Sequence, residues 1–167
     1  VALAQAGCSD IRIANRTNDR AIALGKEMQD ALAQSRLGAN FDYPDFNNKG
    51  AQSSRANINV IGWPDRCDAM RDCMLLVNTT TQGMQGQPPL DIDLRALNDE
   101  ALVTDLVYTP LMTPLLIEAK RRGHAIVDGL GMLLHQAVPG FEAWFGTTPV
   151  VDEAVRQWVL DDINAAK

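Results

Sequence analysis

Short apolar runs alternate with stretches of helical periodicity along nearly the whole chain. Runs with the length and composition of buried strands lie at 11–14, 58–61, 74–77, 101–107 and 125–127. Apolar residues at helical spacing predict helices at about 18–34, 65–72, 114–122, from 130 onwards, and at 152–165. This alternation predicts an α/β fold, a doubly wound parallel sheet with helices on both faces, in which 74–77 is a central strand.

Capping residues support several of these boundaries. Thr17 is suited to cap the first long helix, and Thr113 followed by Pro114 is a strong helix start that Gly123 later closes. The first residues have the composition of the last turns of a helix that ends at Gly7. Since that helix begins without a cap, we expect further chain upstream.

Residues 35–57 interrupt the pattern. They are polar, rich in Asn, Ser, Gly and Gln, and longer than the usual connection between a helix and a strand. We expect a surface insertion here, with a small partner-binding element as the alternative.

Composition narrows the class of protein. A net charge of -6 on 167 residues disfavours broad binding to nucleic acid or to anionic membranes. No apolar run approaches the roughly 18 residues of a membrane span, and no signal peptide is visible. Cys8, Cys67 and Cys73 lack metal-type spacing, so we expect reduced thiols, no metal site and a cytoplasmic protein.

Polar or glycine-rich turns follow three of the predicted strands, at Asn15, Asn78 and Asp128. Ligands of open α/β sheets bind outside the carboxyl ends of the strands. Arg16 and Arg20 flank a predicted helix N-terminus, which suits a phosphate, and in dinucleotide-binding folds arginine at this place accommodates the 2′-phosphate of NADP. The alternative is a pair of surface arginines at a strand–helix junction.

Two further side chains are candidates for binding a polar ligand. Tyr108 lies just past a strand end, and Gln136 is an amide on an otherwise apolar helical stretch that begins at Gly129. A phenol and an amide both offer hydrogen bonds to a polar substrate. Packing for the tyrosine and simple solvation for the glutamine are the alternatives.

Four motifs, in this order, resemble the shikimate dehydrogenase family over nearly the whole chain except 35–57. They are Asn15-Arg-Thr with Arg20, Asn78-Thr-Thr with Gly83-Met84, Asp105-x-Val-Tyr-x-Pro-x-x-Thr-Pro-Leu-Leu116, and Asp128-Gly-Leu-Gly-Met-Leu-x-x-Gln-Ala137. The resemblance implies NADP-dependent reduction of 3-dehydroshikimate to shikimate, in the chorismate pathway of aromatic amino-acid biosynthesis.

The resemblance also implies a protein of two domains, one that binds the substrate and one that binds the nucleotide. This chain is similar to the C-terminal, Rossmann-like NADP-binding domain, expected over 1–150, with 151–167 as a helix packing toward an N-terminal substrate domain. The family's first strand and glycine-rich phosphate loop have no counterpart in the sequence. Its catalytic lysine and aspartate belong to the N-terminal domain, so no catalytic residue is assigned and the chain alone is not expected to be active. A monomer or a homodimer fits the family.

Residue by residue, the resemblance assigns cofactor-binding positions and two substrate-binding positions. The cofactor positions are Asn15, Arg16, Thr17, Arg20, Thr79, Thr80, Leu106 and Gly129. The substrate positions are Tyr108 and Gln136. Two alternatives remain: a quinate/shikimate dehydrogenase that uses NAD, which would favour an acidic group in place of Arg16, and a nucleotide-binding module without catalysis.

Overall fold

The computed structural model describes residues 2–35 and 56–165, so the predicted insertion at 35–57 lies almost entirely outside the described residues. The chain divides into two compact units, 1–69 and 70–167. In both units every described strand pairing is parallel, as the sequence predicted.

The first unit is a two-stranded parallel sheet with helices. Ala14 pairs with Ile61 at the carboxyl end of the strands. The short first helix ends at Gly7, which has φ +97°, and the Cys8 amide donates to the Leu3 carbonyl at 2.9 Å, which confirms the predicted glycine closure. The elements are α1 (Ala2–Gln5), β1 (Asp10–Ala14), α2 (Asn18–Ser35) and β2 (Asn57–Ile61).

The long helix α2 packs closely against β2. Ala21 is buried, and a Cβ placed on Gly25 would lie 2.8 Å from the side chain of Val60. A larger residue at position 25 would therefore push the helix away from the strand.

The prediction of one α-helix at 65–72 is wrong. Two separate 3₁₀ turns stand there, Trp63–Asp65 and Asp68–Met70. The first turn starts at Trp63, earlier than predicted, and it contains Pro64. The Asp65 amide donates to the Gly62 carbonyl at 3.0 Å. Met70 is the one buried apolar residue of this segment, so packing gives little support to extend either turn into an α-helix.

The second unit is a three-stranded parallel sheet in the order β3-β4-β5. Its core combines β4, α3 and the start of α4, with Val103, Leu116, Ala119 and Leu130 all at 0 % exposure. Thr113 caps α3 by accepting from the Leu116 amide, as predicted. The elements are β3 (Leu75–Asn78), β4 (Leu102–Asp105), α3 (Pro114–Arg121), β5 (Ala125–Val127), α4 (Leu130–Phe145) and α5 (Glu153–Ala165).

The prediction that 74–77 is a central strand is not met in the described sheet. β4 is the strand that pairs on both sides, whereas β3 pairs with β4 alone. Met74, which opens the apolar run, precedes the strand and is more than half exposed. An apolar run indicates that the faces of a strand are covered by other elements. It does not indicate how many neighbouring strands pair with that strand.

Candidate functional site

The turn after β1 presents two arginines at the start of α2. Asn15 shapes this turn, because its Oδ1 accepts the Thr17 amide at 2.8 Å, and the Thr17 carbonyl accepts the first helical amides. Arg16 and Arg20 are exposed, and among residues 2–35 and 56–165 neither has an ion-pair partner. Unpaired guanidiniums beside the N-terminus of an 18-residue helix are suited to an anion.

In the second unit, Asn78 organises the turn after β3. It is 3 % exposed, and its Oδ1 accepts the amide and the hydroxyl of Thr80 at 3.0 and 2.8 Å. Its Nδ2 donates to the Gln82 carbonyl at 3.1 Å and to Asp105 at 3.0 Å. The hydroxyl of Thr80 is thus engaged within the turn, although Thr80 and the neighbouring Thr79 are both exposed to solvent.

Asp105, the last residue of β4, is a carboxylate at 0 % exposure. Its Oδ1 accepts from Asn78 and from the Val107 amide at 3.0 Å, and its Oδ2 accepts the Thr113 hydroxyl at 2.7 Å. Every one of these partners presents a hydrogen, which suits a carboxylate acceptor. Asp105 therefore ties together the end of β3, the loop that carries Tyr108 and the start of α3.

Sequence reasoning included Asp105 in a motif but gave it no role. The signal that could have found it is an acidic residue at the end of an otherwise apolar strand. Such a residue is rarely buried without hydrogen-bond partners.

A cavity of about 310 Å³ lies at the carboxyl ends of β3 and β4. It brings together four of the predicted site residues, namely Thr79, Thr80, Leu106 and Tyr108. The remaining lining residues are Thr81, Met84, Val107 and Thr109. The wall is therefore partly hydroxylic and partly apolar, which is the usual character of a small-molecule site.

Gly129 lies against the same strand end. It precedes α4, and a Cβ built on it would meet the carbonyl oxygens of Leu106 at 2.5 Å and Val107 at 2.6 Å. A glycine is required here by the close approach of two main chains. The predicted positions Leu106 and Gly129 are thus in contact.

The two predicted substrate residues differ in their surroundings. Tyr108 lines the cavity and is 37 % exposed. Gln136 lies on α4, is exposed, and is not among the residues that line the cavity. The structure of the second unit therefore groups Tyr108 with the cavity, and it does not group Gln136 with it.

The apolar face predicted for α4 is mostly open. Leu130 is fully buried, but Phe141 is 42 % exposed, and Trp144 of the same helix is 81 % exposed. On α5, Trp158 is 80 % exposed. Helical periodicity identified the apolar face of α4, but it could not predict how much of that face other residues of this chain bury.

The ion pair between Asp128 and Arg156 was not predicted from the sequence either. Asp128 accepts from Arg156 of α5 at 2.6 Å and from the Leu130 amide at 3.1 Å. One carboxylate therefore accepts the first amide of α4 and holds α5 to the start of that helix.

No group of three metal-ligating side chains occurs among the described residues, and none of their helices is long and apolar enough to cross a membrane. All three cysteines carry free thiols.

Comparison with known proteins shows which family the chain resembles. A model of the shikimate 5′-dehydrogenase C-terminal domain matches residues 129–158. Over 159 residues the chain is 46% identical to a shikimate dehydrogenase (NADP(+)) of Paramagnetospirillum magneticum, which covers 95% of this chain and 48% of the relative. Over nearly its whole length the chain is similar to shikimate dehydrogenases. It spans about half the length of the curated relatives it matches, and it aligns with their C-terminal half.

Other relatives and solved structures show the same similarity. The enzyme of Rhodospirillum rubrum is 46% identical over 158 residues, which cover 95% of this chain and 48% of the relative. The chain is also similar to shikimate 5-dehydrogenase from Thermus thermophilus in complex with NADP(H) and shikimate, with TM-score 0.67 and 26% identity over 97% of this chain and 49% of that one.

Quinate dehydrogenase from Corynebacterium glutamicum in complex with NAD is similar too, with TM-score 0.76 and 26% identity over 96% of this chain and 49% of that chain. These likenesses confirm the Rossmann-like fold class predicted for this chain.

Proposed function

We propose that this chain is the nucleotide-binding part of an NADP-dependent shikimate dehydrogenase. The complete enzyme would reduce 3-dehydroshikimate to shikimate in the chorismate pathway. The observation that carries the cofactor assignment is the pair of exposed arginines, Arg16 and Arg20, without ion-pair partners among the described residues. The relatives that are 46% identical over 95% of this chain are named NADP(+) enzymes, which supports the same choice.

The adenosine 2′-phosphate is the group that Arg16 and Arg20 would hold. A dianionic phosphate suits two guanidiniums that are not already neutralised, and the positive end of α2 adds to the attraction. Asn15 and Thr17 would complete this clamp, with Asn15 fixing the turn through its bond to the Thr17 amide. An NAD enzyme would favour an acidic side chain at this strand end.

Leu106 and Gly129 would line the nicotinamide side, and Thr79 and Thr80 would form the turn beside the cofactor. Bound NADPH supplies the hydride for the reduction, and this chain's residues bind and orient the ring. Thr79 and Leu106 line one cavity, and the contact of Gly129 with Leu106 would keep that wall close to the helix start.

The substrate would meet Tyr108 and Gln136. A phenol can donate or accept one hydrogen bond, and an amide can do both at once, as a polyhydroxylated ring requires. We assign the proton-transfer residues to the N-terminal domain and none to this chain. A cytoplasmic location is part of the proposal, and the three free thiols support it.

The proposed domain arrangement keeps 1–150 as the nucleotide-binding domain and 151–167 as a helix that packs toward the N-terminal domain. The exposed indoles of Trp144 and Trp158 support this arrangement, because large apolar side chains of this kind are usually covered by a partner surface. Solvent exposure of both indoles in the full-length enzyme would contradict it.

A second candidate is a quinate/shikimate dehydrogenase that uses NAD. The likeness to the quinate dehydrogenase solved with NAD favours it. The charge at the end of β1 opposes it, because neither Arg16 nor Arg20 would have a 2′-phosphate to bind. Parallel assays with quinate and shikimate, each with both cofactors, separate the two candidates.

The decisive experiment compares cofactor affinities in the full-length enzyme. Arg16→Ala and Arg20→Ala should each remove a charge-assisted contact of about 1.5–3 kcal/mol, which corresponds to a roughly tenfold to hundredfold weaker Kd for NADP. The Kd for NAD should change much less. Lys26→Ala removes a charge from the exposed surface of the same helix and should leave both values unchanged. Equal losses for NADP and NAD would mean that the arginines are structural.

A further inference from the structure

A half-buried tryptophan follows β2 at the sheet edge where Arg16 follows β1. Ala14 and Ile61 are the last paired residues of the two strands. Parallel neighbours lie about 4.8 Å apart, so the turns that begin at Asn15 and Gly62 leave the sheet side by side. Both turns belong to the first unit.

The guanidinium of Arg66 packs over the ring of Trp63. The guanidinium carbon of Arg66 lies 4.4 Å from the ring centroid, and its Nη1 donates to the Trp63 carbonyl at 2.7 Å. The intervening Pro64 restricts the backbone of the same turn. These contacts favour one orientation of the indole, and a side chain arranged in advance lowers the entropy cost of stacking against it.

The charges on the two turns differ, and the difference indicates which part of a ligand each turn suits. Arg16 stands on the β1 side. On the β2 side, Asp65 is exposed, and its Oδ2 lies 3.1 Å from where a Cβ on Gly62 would be. A carboxylate at this place repels a second phosphate but does not oppose a neutral ring. An aromatic face next to a phosphate site suits a base that is joined to a phosphorylated ribose.

We propose that Trp63, backed by Arg66, is the face on which the adenine ring of the dinucleotide stacks. The assignment rests on the proposed function, because it needs the adenosine 2′-phosphate to lie at Arg16 and Arg20. It adds a determinant that recognises the base itself. Since NADP and NAD carry the same adenine, this determinant contributes to binding of both cofactors.

The test uses adenosine 2′,5′-bisphosphate, a probe that carries the adenine and the 2′-phosphate but no nicotinamide. In the full-length enzyme, Trp63→Ala should weaken this probe, NADP and NAD alike, by roughly fivefold to a hundredfold, as loss of one base–aromatic stack does. Arg16→Ala should instead weaken the probe and NADP much more than NAD. Trp63→Phe keeps an aromatic face and should retain most of the affinity.

Fluorescence gives a second readout that does not depend on the alanine variant folding. Binding of the probe should quench tryptophan emission in the wild type, in Trp144→Phe and in Trp158→Phe. The quenching should be lost in Trp63→Phe, whose folding is checked by its melting temperature. Quenching that survives in Trp63→Phe, or a folded Trp63→Ala variant with wild-type affinity for the probe, would overturn the stacking assignment. A wild type that binds the probe no better than 5′-AMP would instead overturn the proposed use of NADP.

Discussion

Gly129 and Leu106 approach each other so closely that a Cβ on Gly129 would lie 2.5 Å from the Leu106 carbonyl oxygen. The φ of Gly129 is −76°, a value that any residue can adopt, so the requirement for glycine is purely steric. Two main chains meet here, and neither can move aside as a flexible side chain could.

Gly129→Ala should therefore force the end of β4 away from the start of α4. We expect the free energy of unfolding to fall by about 1–3 kcal/mol or more, which is typical of overpacking. Gly131→Ala is the matched control, because a Cβ there has nothing within 4 Å, and α4 should gain up to about 1 kcal/mol from the better helix former. Urea denaturation of both variants checks this, and equal effects would contradict the steric argument.

Asp105→Ala should be among the more damaging single substitutions in the second unit. It would leave the buried donors of Asn78, Val107 and Thr113 without their acceptor, a loss on the order of 3 kcal/mol. Asp105→Asn keeps the shape and one acceptor, so we expect a smaller loss. Asp162→Ala on exposed α5 should change the unfolding midpoint little. A loss below about 1 kcal/mol for Asp105→Ala would contradict this stabilising role of the buried carboxylate.

Gln136→Ala tests the proposed substrate contact in the full-length enzyme. We expect kcat/KM for shikimate to fall by roughly tenfold or more, as for the loss of a hydrogen bond that leaves a partner unsatisfied. The Kd for NADP and the Tm should remain unchanged, because the side chain is exposed in this chain. His135→Ala alters the neighbouring exposed position and serves as the control. A lower Tm, or an equal loss for NADP, would indicate a structural role instead.

Glu118 predicts a specific dependence of stability on pH. Hydrogen bonds from Arg121 and Arg122 lower its pKa from 4.5 to about 2. Since the folded pKa lies below the unfolded one, the ionised pair stabilises the fold in full above about pH 4.5, and this contribution is lost as pH falls toward 2. The difference in unfolding free energy between wild type and Glu118→Gln should be small at pH 7, because the group is exposed, and should vanish near pH 2. A difference that is independent of pH would contradict the ion pair.

Local signals predicted much of the fold. Thr113, Pro114 and Gly123 determine the start and the end of α3 through bonds within a few residues, so their sequence pattern was sufficient. The 3₁₀ turns at Trp63 and Met70 were mistaken for one helix, because their shape depends on how little apolar surface they bury, which periodicity does not report. The partners of Asp105 are spread along the chain, with Asn78 27 residues away, and no local pattern identifies them.

The site was predicted unevenly for the same reason. Thr79, Thr80, Leu106 and Tyr108 follow the ends of neighbouring strands, so the order of the strands alone groups them at one cavity. Trp63 was overlooked because its relation to Arg16 requires the register of β1 against β2, two strands separated by a long segment.

The hydroxyl of Thr113 makes two bonds at once, since it accepts the Leu116 amide at 3.3 Å and donates to Asp105 at 2.7 Å. The same oxygen atom thus caps the N-terminus of helix α3 and donates to the buried carboxylate at the sheet edge. During evolution, a substitution at position 113 therefore affects the helix start and the sheet edge together. Serine preserves both bonds, whereas valine, of nearly the same shape, removes both together. Serine is therefore almost the only replacement that position 113 tolerates, although this position need not touch any ligand.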